Sequence, residues 1–487
     1  MSWKETAEPV LTRMPGVTRP EGHVPFKRKL GWTAGVLVVY FFLTNITLWG
    51  LPGTEIGDDL FGQFRTILAG EHGSIMQVGI GPIVTASIVL QLLGGAGLLG
   101  LDTNDPRDQV LYQGLQKLLV IVMTALTAFP MVFFGGFLPV GPESAAAYGT
   151  STVQWLMFTQ IMIGGILILF MDEIVSKWGV GSGIGLFIIA GVSQALLGGV
   201  FAWEGLGDQP GFLAVWIGIL LGSREMPSPL TSEGVVALLF TEVQLLAILT
   251  TLVIFAIVIY AESVRVEIPL SHARVKGARG RFPVKLIYAS VLPIILVRAL
   301  QMNIQFLGRI LDSQWAGMPA ALGVYSDGQA VSGFFYYFSP IMGPTEWMWW
   351  LGTTTAEPWM IAIRVFVDLT FMIVGSAIFA IFWVETTNMG PEATAQQIQN
   401  TGMQIPGFRQ NVGVYEKVLA RYIPQVTVIG GALVGGLAVM ANMLGTIGNV
   451  DGTGLLLAVS ITYKLYEEIA EEQLMEMHPM MRQMFGR

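Results

Sequence analysis

The stretch Gly79-Ile80-Gly81-Pro82-Ile83-Val84-Thr85-Ala86, which continues as an apolar run to Leu98, decides how this chain folds. It reads as a membrane-spanning helix, but two glycines and a proline stand where a lipid-facing helix would carry leucine. Proline in a first helical turn costs little, because its missing N–H would lack an intrahelical acceptor there. The preceding segment, 55–69, is shorter than the ~20 apolar residues that a bilayer crossing needs. Because broken helices are tolerated at membrane depth only where they line a cavity or are buried in protein, the stretch predicts a pore or substrate path.

The composition is that of a polytopic membrane protein. Of the 487 residues, 53% are hydrophobic and 12% are charged, and the mean hydropathy is +0.62. There is no cysteine, which excludes disulfides and thiolate metal sites. The N-terminal segment is basic and has no apolar core, so we expect no cleavable signal peptide and an N-terminus that stays in the cytoplasm. The net charge of −8 argues against nucleic acid as a surface-wide partner.

Windows of ~20 apolar residues predict ten membrane spans, so the fold class is an all-α polytopic membrane protein. The predicted spans cover residues 31–49, 75–100, 110–134, 153–171, 184–202, 240–260, 284–300, 359–384, 425–444 and 452–465. With an even number of spans both termini share one side, and 21 of the 26 Lys and Arg residues are assigned to it. This asymmetry predicts that the side is cytoplasmic. The exceptions are Arg65, Arg224, Arg298, Arg309 and Arg364.

Five predicted spans precede a connecting loop, 223–239, and five follow it. The odd number predicts two halves, 31–222 and 240–466, inserted in opposite orientations, with cytoplasmic segments 1–30 and 467–487 at the ends. The second span of each half carries an aliphatic-proline element, and the fifth opens on glycine with small polar residues. These elements are Ile80-Gly81-Pro82-Ile83-Val84, Leu292-Pro293-Ile294-Ile295, Val180-Gly181-Ser182-Gly183-Ile184 and Gly452-Thr453-Gly454-Leu455. Their recurrence supports an inverted repeat.

If the loosened segments line a pore, six aliphatic side chains are placed to meet at its centre. They are Ile80, Val84, Val180, Ile184, Ile295 and Leu457. A hydrophobic constriction dewets and closes to small solutes, yet it makes no specific bond to what passes. That chemistry suits a deformable seal around a large and variable substrate. For each residue taken singly, the alternative is ordinary helix packing, which is the commoner role of aliphatic side chains near glycines.

Polar residues inside the spans are the second class of candidates. Thr85, Gln91 and Asn303 are predicted to form a hydrogen-bonded seam between the second and seventh spans, and simple interhelical contacts of ordinary packing are the alternative. Arg364 and Asp368 are four residues apart, which predicts a charge pair on one face of the eighth span.

Signatures of enzymes are missing from the sequence. No Gly-Lys pair is present, so there is no phosphate-binding Walker loop, and the four histidines form no HExxH motif. We therefore predict a protein that is not an enzyme and that has neither cofactor nor metal. The competing hypotheses at this point are a pore for a large and variable substrate and a secondary transporter of a small solute. A transporter site should present polar ligands and half-helix ends around its substrate, whereas the six central positions are aliphatic.

Four motifs spread over nearly the whole chain identify a family. They are Ile80-Gly81-Pro82-Ile83-Val84-Thr85-Ala86, Asp172-Glu173-Ile174-Val175-Ser176-Lys177-Trp178-Gly179 with the following Gly181-Ser182-Gly183-Ile184, the loop from Tyr260-Ala261-Glu262 to Lys276-Gly277, and Phe382-Trp383-Val384-Glu385-Thr386-Thr387. Together they resemble the SecY-type large subunit of the protein-conducting channel, in its archaeal form. The resemblance implies two inverted five-helix halves around an hourglass pore. It also implies a lateral gate toward lipid, between the second and third spans on one side and the seventh and eighth on the other.

The resemblance implies roles for particular residues as well. It places a pore ring on the six aliphatic residues and lateral-gate contacts on Thr85, Gln91 and Asn303. A plug that seals the outer funnel is implied at 56–69, with site residues Ile56, Asp58, Leu60, Phe61, Phe64, Ile67 and Leu68. Two cytoplasmic loops, about 261–285 and 385–424, are implied to dock the ribosome through Arg265, Arg274, Lys276 and Arg409.

The implied function is a passive channel in the cell membrane that conducts secretory polypeptides and releases transmembrane segments laterally into lipid. The implied partners are SecE-type and Sec-beta-type small membrane subunits in a heterotrimer, the ribosome with its rRNA, signal sequences with nascent polypeptides, and the lipid bilayer. A loop that carries several basic residues can attract rRNA phosphates within a Debye length, although the net charge of the whole chain is negative.

Overall fold

The computed structural model describes most of the chain. The described residues are 3–22, 24–52, 65–95, 99–100, 105–134, 137–203, 210–241, 243–272, 279–286, 292–315, 317–326, 328–351, 354, 356–387, 389–400, 403–404 and 411–477. Several predicted site residues lie outside them: Ile56, Asp58, Leu60, Phe61, Phe64, Arg274, Lys276 and Arg409.

Helices dominate the described chain. Those of the N-terminal part are α1 (Trp3–Leu11), α2 (Phe26–Thr44), α3 (Arg65–Leu68), α4 (Gly81–Gly95), α5 (Pro106–Phe133), α6 (Pro142–Tyr148), α7 (Thr150–Trp178), α8 (Gly183–Phe201) and α9 (Phe212–Leu220). Those of the C-terminal part are α10 (Ser232–Val236), α11 (Leu245–Ser263), α12 (Leu292–Gln314), α13 (Phe334–Tyr337), α14 (Pro344–Trp347), α15 (Pro358–Thr386), α16 (Pro391–Asn400), α17 (Val412–Leu444) and α18 (Gly452–Met477). A π-helical turn at Ala237–Thr241 and 3₁₀ turns at Trp349–Leu351 and Ile447–Asn449 lie between them.

Each predicted span falls on one of the longer helices, namely α2, α4, α5, α7, α8, α11, α12, α15, α17 and α18. Within the described residues, seven helices are long and apolar enough to cross a membrane, and α4 is apolar but shorter. α2 and α18 are not among these seven helices, because charged residues occupy one end of each and shorten the apolar segment. α2 begins with the basic run Lys27-Arg28-Lys29, and α18 carries Glu467 and Glu468 in its later turns.

Three helices extend beyond or start away from the predicted spans. The seventh span is predicted at 284–300, but α12 covers Leu292–Gln314, because the chain up to Lys285 forms a β-strand. α17 begins at Val412 instead of 425, and α18 continues to Met477 through the start of the predicted tail. Hydropathy windows miss such extensions, because polar helical turns outside the apolar segment do not raise the mean hydropathy.

Five short strands form two sheets among the described residues: β1 (Arg265–His272), β2 (Arg279–Lys285), β3 (Val324–Ser326), β4 (Gln329–Ser332) and β5 (Met403–Gln404). β1 and β2 pair as an antiparallel hairpin with Arg265 opposite Lys285. β5 pairs antiparallel with the other edge of β1, which gives the order β2-β1-β5. The two predicted loops, 261–285 and 385–424, therefore meet in one sheet, and the second also contains α16.

The largest apolar cluster of the described chain lies where the two halves meet. It combines buried residues of α4 and α8 with buried residues of α12 and α18. α4 packs against α5, α12 and α15, and α8 packs against α18. The short helix α3 also lies against α8. The contact between the halves is thus an apolar layer that contains most of the predicted ring.

Candidate functional site

The turn before α4 contains Gly79, the first residue of the stretch that the sequence singled out. Gly79 has a φ of +55°, and a Cβ added there would stand 2.2 Å from the backbone oxygen of Leu68. The amide of Ile80 donates a hydrogen bond of 2.7 Å to that same oxygen. A side chain at position 79 would separate these two groups, so only glycine lets α4 start directly beneath the end of α3. The broken crossing is therefore a stub, α3, and a helix, α4, joined by backbone contacts.

The ring residues of the N-terminal half are held by hydrogen bonds to their backbone. Ile80 and Val84 lie one turn apart at the start of α4, and both are buried. The amide of Val180 donates to Thr33 Oγ1 at 3.0 Å. The amide of Ile184 donates to Asp172 Oδ1, also at 3.0 Å, so the carboxylate of α7 caps the N-terminus of α8. These two contacts orient the start of α8, which carries the second pair of ring residues.

Two cavities include the ring residue Ile295 in their lining. The first, here called the hairpin-side cavity, has a volume of about 630 Å³, counting space open to solvent, and is lined by Val180, Ile184 and Ile295 together with α18 residues such as Ile461 and Glu468. The second, the plug-side cavity, has a volume of about 270 Å³ on the same basis. Its lining is Ile67, Leu68, Ile80, Val84, Ile295, Arg298, Ala299 and Met302. Ile295 is the residue that the two linings share.

Five of the six predicted ring residues therefore line two cavities that share one wall. Leu457 lines neither of these two, but it is fully buried in the same apolar cluster as Ile80, Val84 and Ile295. The structure brings all six together where the halves meet, instead of dispersing them toward lipid. Their role as a ring stays a prediction.

The end of the predicted plug is seated on this region. Ile67 and Leu68 are each 4% exposed and line the plug-side cavity. Besides the bond from Ile80, the Tyr40 hydroxyl of α2 donates to the carbonyl of Ala69 at 3.0 Å. Arg65 Nη1 donates to the carbonyl of Gln77 at 2.7 Å, which ties α3 to the turn before α4. The remaining predicted plug residues, Ile56, Asp58, Leu60, Phe61 and Phe64, lie outside the described residues.

The predicted gate seam is present in part. Asn303 Nδ2 of α12 donates to Thr85 Oγ1 of α4 at 3.3 Å, and also to the carbonyl of Ala299 at 2.8 Å. Gln91 does not join them: its Oε1 is buried without a hydrogen-bond partner among the described residues. Six residues turn an α-helix by about 240°, so Gln91 and Thr85 lie on different faces of α4. The place of Gln91 in the gate stays a prediction.

The charge pair that the sequence predicted within α15 is not formed. Asp368 instead lies 3.6 Å from Arg298 Nη1 of α12, and Gln301 Nε2 donates to Asp368 Oδ1 at 3.0 Å. Arg364 pairs with Glu346 at 2.7 Å. A spacing of four residues permits an ion pair on one helix face, but in the structure Arg364 and Asp368 each pair with a residue of another helix. In the sequence, Arg298 stood out only as one of the five basic residues not assigned to the cytoplasmic side. Its position inside the predicted seventh span, 284–300, is a signal that points to a functional residue.

The predicted docking residues are partly described. Arg265 begins β1 and has its Nε 3.6 Å from Glu267 Oε1, whereas Arg274, Lys276 and Arg409 lie outside the described residues. The hairpin is fixed at its base, since Lys285 pairs with Glu467 of α18 and its Nζ lies over the ring of Tyr463. The sheet is thereby linked to the helix that carries Leu457.

Comparison with known proteins identifies the family. A family model described as SecY matches residues 74–466, and one described as the plug domain of Sec61p matches residues 38–73. The chain belongs to the SecY family. SecY-family relatives include the protein translocase subunit SecY of Haloferax volcanii, 72% identical with 100% of both chains covered. That of Archaeoglobus fulgidus is 47% identical with 98% of both chains covered.

Solved structures of the SecY family share the fold. A protein-conducting channel matches with a TM-score of 0.80 at 38% identity, over 97% of this chain and 98% of the other. Sec61 in the canine ribosome-channel complex from the endoplasmic reticulum matches with a TM-score of 0.78 at 38% identity and the same coverage. This member of the SecY family is a multi-pass membrane protein and the channel subunit of a protein translocase. Its relatives are translocon channel subunits, a non-enzymatic role, and they give no support to the alternative of a small-solute transporter.

Proposed function

We propose that the six predicted ring residues form the constriction that seals this channel at rest and parts for a polypeptide. The observation that carries the proposal is that Ile295 belongs to the lining of both the hairpin-side cavity and the plug-side cavity. Aliphatic walls exclude water from a narrow passage and make no specific bond to what passes. The same walls can therefore close around side chains of any kind and close again behind them.

The plug forms the second layer of the seal. Its described end covers the ring from the plug-side cavity, where Leu68 and Ile80 are joined by a backbone hydrogen bond. Residues 56–64 precede this end, and we propose that they continue the cover. A passing polypeptide must displace Leu68 from Ile80, so opening of the ring and release of the plug are one event.

The lateral gate lies between α4 and α12. The bond between Thr85 and Asn303 is neutral and 3.3 Å long, and interhelical bonds of this kind contribute about 0.6 kcal/mol on average. Such a contact holds the gate shut yet breaks readily when an apolar segment competes for the interface. We propose that transmembrane segments leave the channel for lipid by this route, between the inverted halves 31–222 and 240–466.

The sheet β2-β1-β5 is the proposed ribosome-docking surface, with Arg265, Arg274, Lys276 and Arg409 contacting rRNA phosphate. Support comes from the matching canine channel, which was solved in a ribosome-channel complex. The proposal places this sheet and both termini in the cytoplasm of a cell with the channel in its plasma membrane, beside SecE-type and Sec-beta-type subunits. Reversing Arg274 and Arg409 to glutamate should weaken co-sedimentation with ribosomes in a salt-sensitive way. Undiminished binding would remove the docking role.

The ring is tested by making it polar. Ile80→Asn and Val84→Asn should raise ion leak and permit export of proteins with defective signal sequences, because a polar wall wets the constriction. Ile83→Asn is the matched control: Ile83 lies on the same helix and is equally buried, but it lines neither cavity. Ion leak and export stringency that stay native in the Ile80 and Val84 variants would refute the proposed constriction.

A further inference from the structure

A charged side chain lies next to the constriction and has no part in the function proposed so far. Arg298 of α12 is 1% exposed and lines the plug-side cavity beside Leu68 and Ile80. Its Nε donates to Thr453 Oγ1 at 2.9 Å, and its Nη1 donates to Gln301 Oε1 at 2.6 Å. The Nη2 atom has no hydrogen-bond partner within the described part of the chain. A buried guanidinium is retained at such a place only where its contacts compensate for lost hydration.

The contacts of Arg298 are one helical turn from two ring residues. Arg298 follows Ile295 by three positions on α12, and Thr453 precedes Leu457 by four positions on α18. Residues three or four apart share a helix face. The bond between Arg298 and Thr453 therefore joins the two ring helices of the C-terminal half beside their ring residues.

The same guanidinium reaches a third helix. Gln301, which accepts a hydrogen bond from Arg298, also donates from its Nε2 to Asp368 Oδ1 of α15 and to the carbonyl of Phe338, each at 3.0 Å. Asp368 is fully buried, and its Oδ2 accepts a bond of 3.4 Å from the amide of Ile341. One connected set of polar groups thus links α12, α15 and α18 with the segment that precedes α15.

We infer that Arg298 is a positioning residue for the constriction, and this inference rests on the function proposed above. It braces α12, α15 and α18 so that Ile295 and Leu457 face the ring residues of the other half in the closed channel. The three helices then move as one block when the gate opens. Hydrogen bonds to an ionised group are roughly twice as strong as neutral ones. The neutral 3.3 Å contact between Thr85 and Asn303 is therefore the one that parts first.

The test loosens the brace without removing its charge. Arg298→Lys keeps the cation, but a single ammonium cannot reproduce the planar fork that reaches Thr453 and Gln301 together. Thr453→Val removes the acceptor and keeps the shape of the side chain. Loss of a hydrogen bond to a charged group shifts an equilibrium by roughly tenfold or more. Each variant should raise by about that factor the ion efflux from vesicles that contain the complete channel complex.

Arg364→Lys is the matched control. Arg364 is also buried and ion-paired, with Glu346, but it lines neither cavity. Its variant should lower the melting temperature as the Arg298 variant does, while ion efflux stays native. The brace is refuted if folded Arg298→Lys and Thr453→Val channels are as tight as native, or if Arg364→Lys leaks as much as they do. If Ile80→Asn also fails to leak, the proposed constriction falls with it; if Ile80→Asn leaks, only the brace falls.

Discussion

Replacing Gly79 with alanine inserts one methyl group next to the contact between Leu68, at the end of the predicted plug, and the predicted ring residue Ile80. In the structure the added Cβ would lie 2.2 Å from the Leu68 oxygen and 2.9 Å from the Gly70 amide nitrogen. Both neighbours are backbone atoms, which cannot rotate away as a flexible side chain does. Leu68 must therefore retreat from Ile80, and the hydrogen bond of 2.7 Å between them is lost.

The expected free-energy cost of Gly79→Ala depends on the backbone amide of Ile80, which stays buried. Ile80 is fully buried, so its amide is left without an acceptor, and an unsatisfied buried donor costs ~1–3 kcal/mol. This corresponds to a shift of roughly 5- to 150-fold in the ratio of open to closed channels. The penalty applies only to the closed state, because Leu68 faces Ile80 only while the plug is seated. The positive φ of Gly79 adds ~1–2 kcal/mol of backbone strain for alanine, which lowers the stability of the described conformation further.

Ion efflux from vesicles that contain the complete channel complex measures the closed state directly. We expect Gly79→Ala to leak faster than native by a factor within the range above. Gly94→Ala, on the helix that follows this turn, is the control for an added methyl group, because its Cβ meets nothing within 4 Å. A Gly79→Ala channel that is folded, present in equal amount and no leakier than Gly94→Ala would refute the claim that the seat of Leu68 maintains the seal.

Two further predictions follow from single contacts. Because the chain has no cysteine, a Thr85→Cys/Asn303→Cys pair should form one disulfide across the gate on oxidation and stop release of transmembrane segments into lipid until it is reduced. Gln91→Cys/Asn303→Cys should not cross-link, and cross-linking there would contradict the described helix face. Asp172→Ala removes the cap of α8 and should lower the stability of the complex by ~1 kcal/mol, seen as a lower melting temperature, whereas Asp172→Asn keeps an acceptor and most of the stability.

The features that could be predicted from the sequence depend on local properties of the chain. Each predicted span falls on a helix because apolar length is a property of one segment, and the matching folds confirm the helical channel architecture. The break before α4 was found because glycine and proline act on their own backbone, as the positive φ of Gly79 illustrates. The six aliphatic positions were predicted by combining these breaks with the expected inverted repeat, and their role as a ring stays a prediction.

The features that could not be predicted depend on which distant residues meet. Arg364 and Asp368 have the spacing of an ion pair. Instead, Arg364 pairs with Glu346 and Asp368 pairs with Arg298. No periodicity reveals such a choice, because it is decided by the packing of α12 against α15. The same holds for the pairing of β5 with β1, which joins two loops separated by more than a hundred residues.

The contacts that seat the plug end are made to backbone oxygens. Tyr40 binds the carbonyl of Ala69, Ile80 binds that of Leu68, and Arg65 binds that of Gln77. The first two contacts do not depend on the side chains of their acceptors, Leu68 and Ala69, so these two positions can change without loss of either hydrogen bond. Arg65 is different, because it contributes its own side chain from the plug end. The other constraints lie outside the plug, on the hydroxyl of Tyr40 and on the missing side chain of Gly79. The seat should therefore tolerate exchange of Ala69 better than exchange of Arg65 or any side chain at position 79.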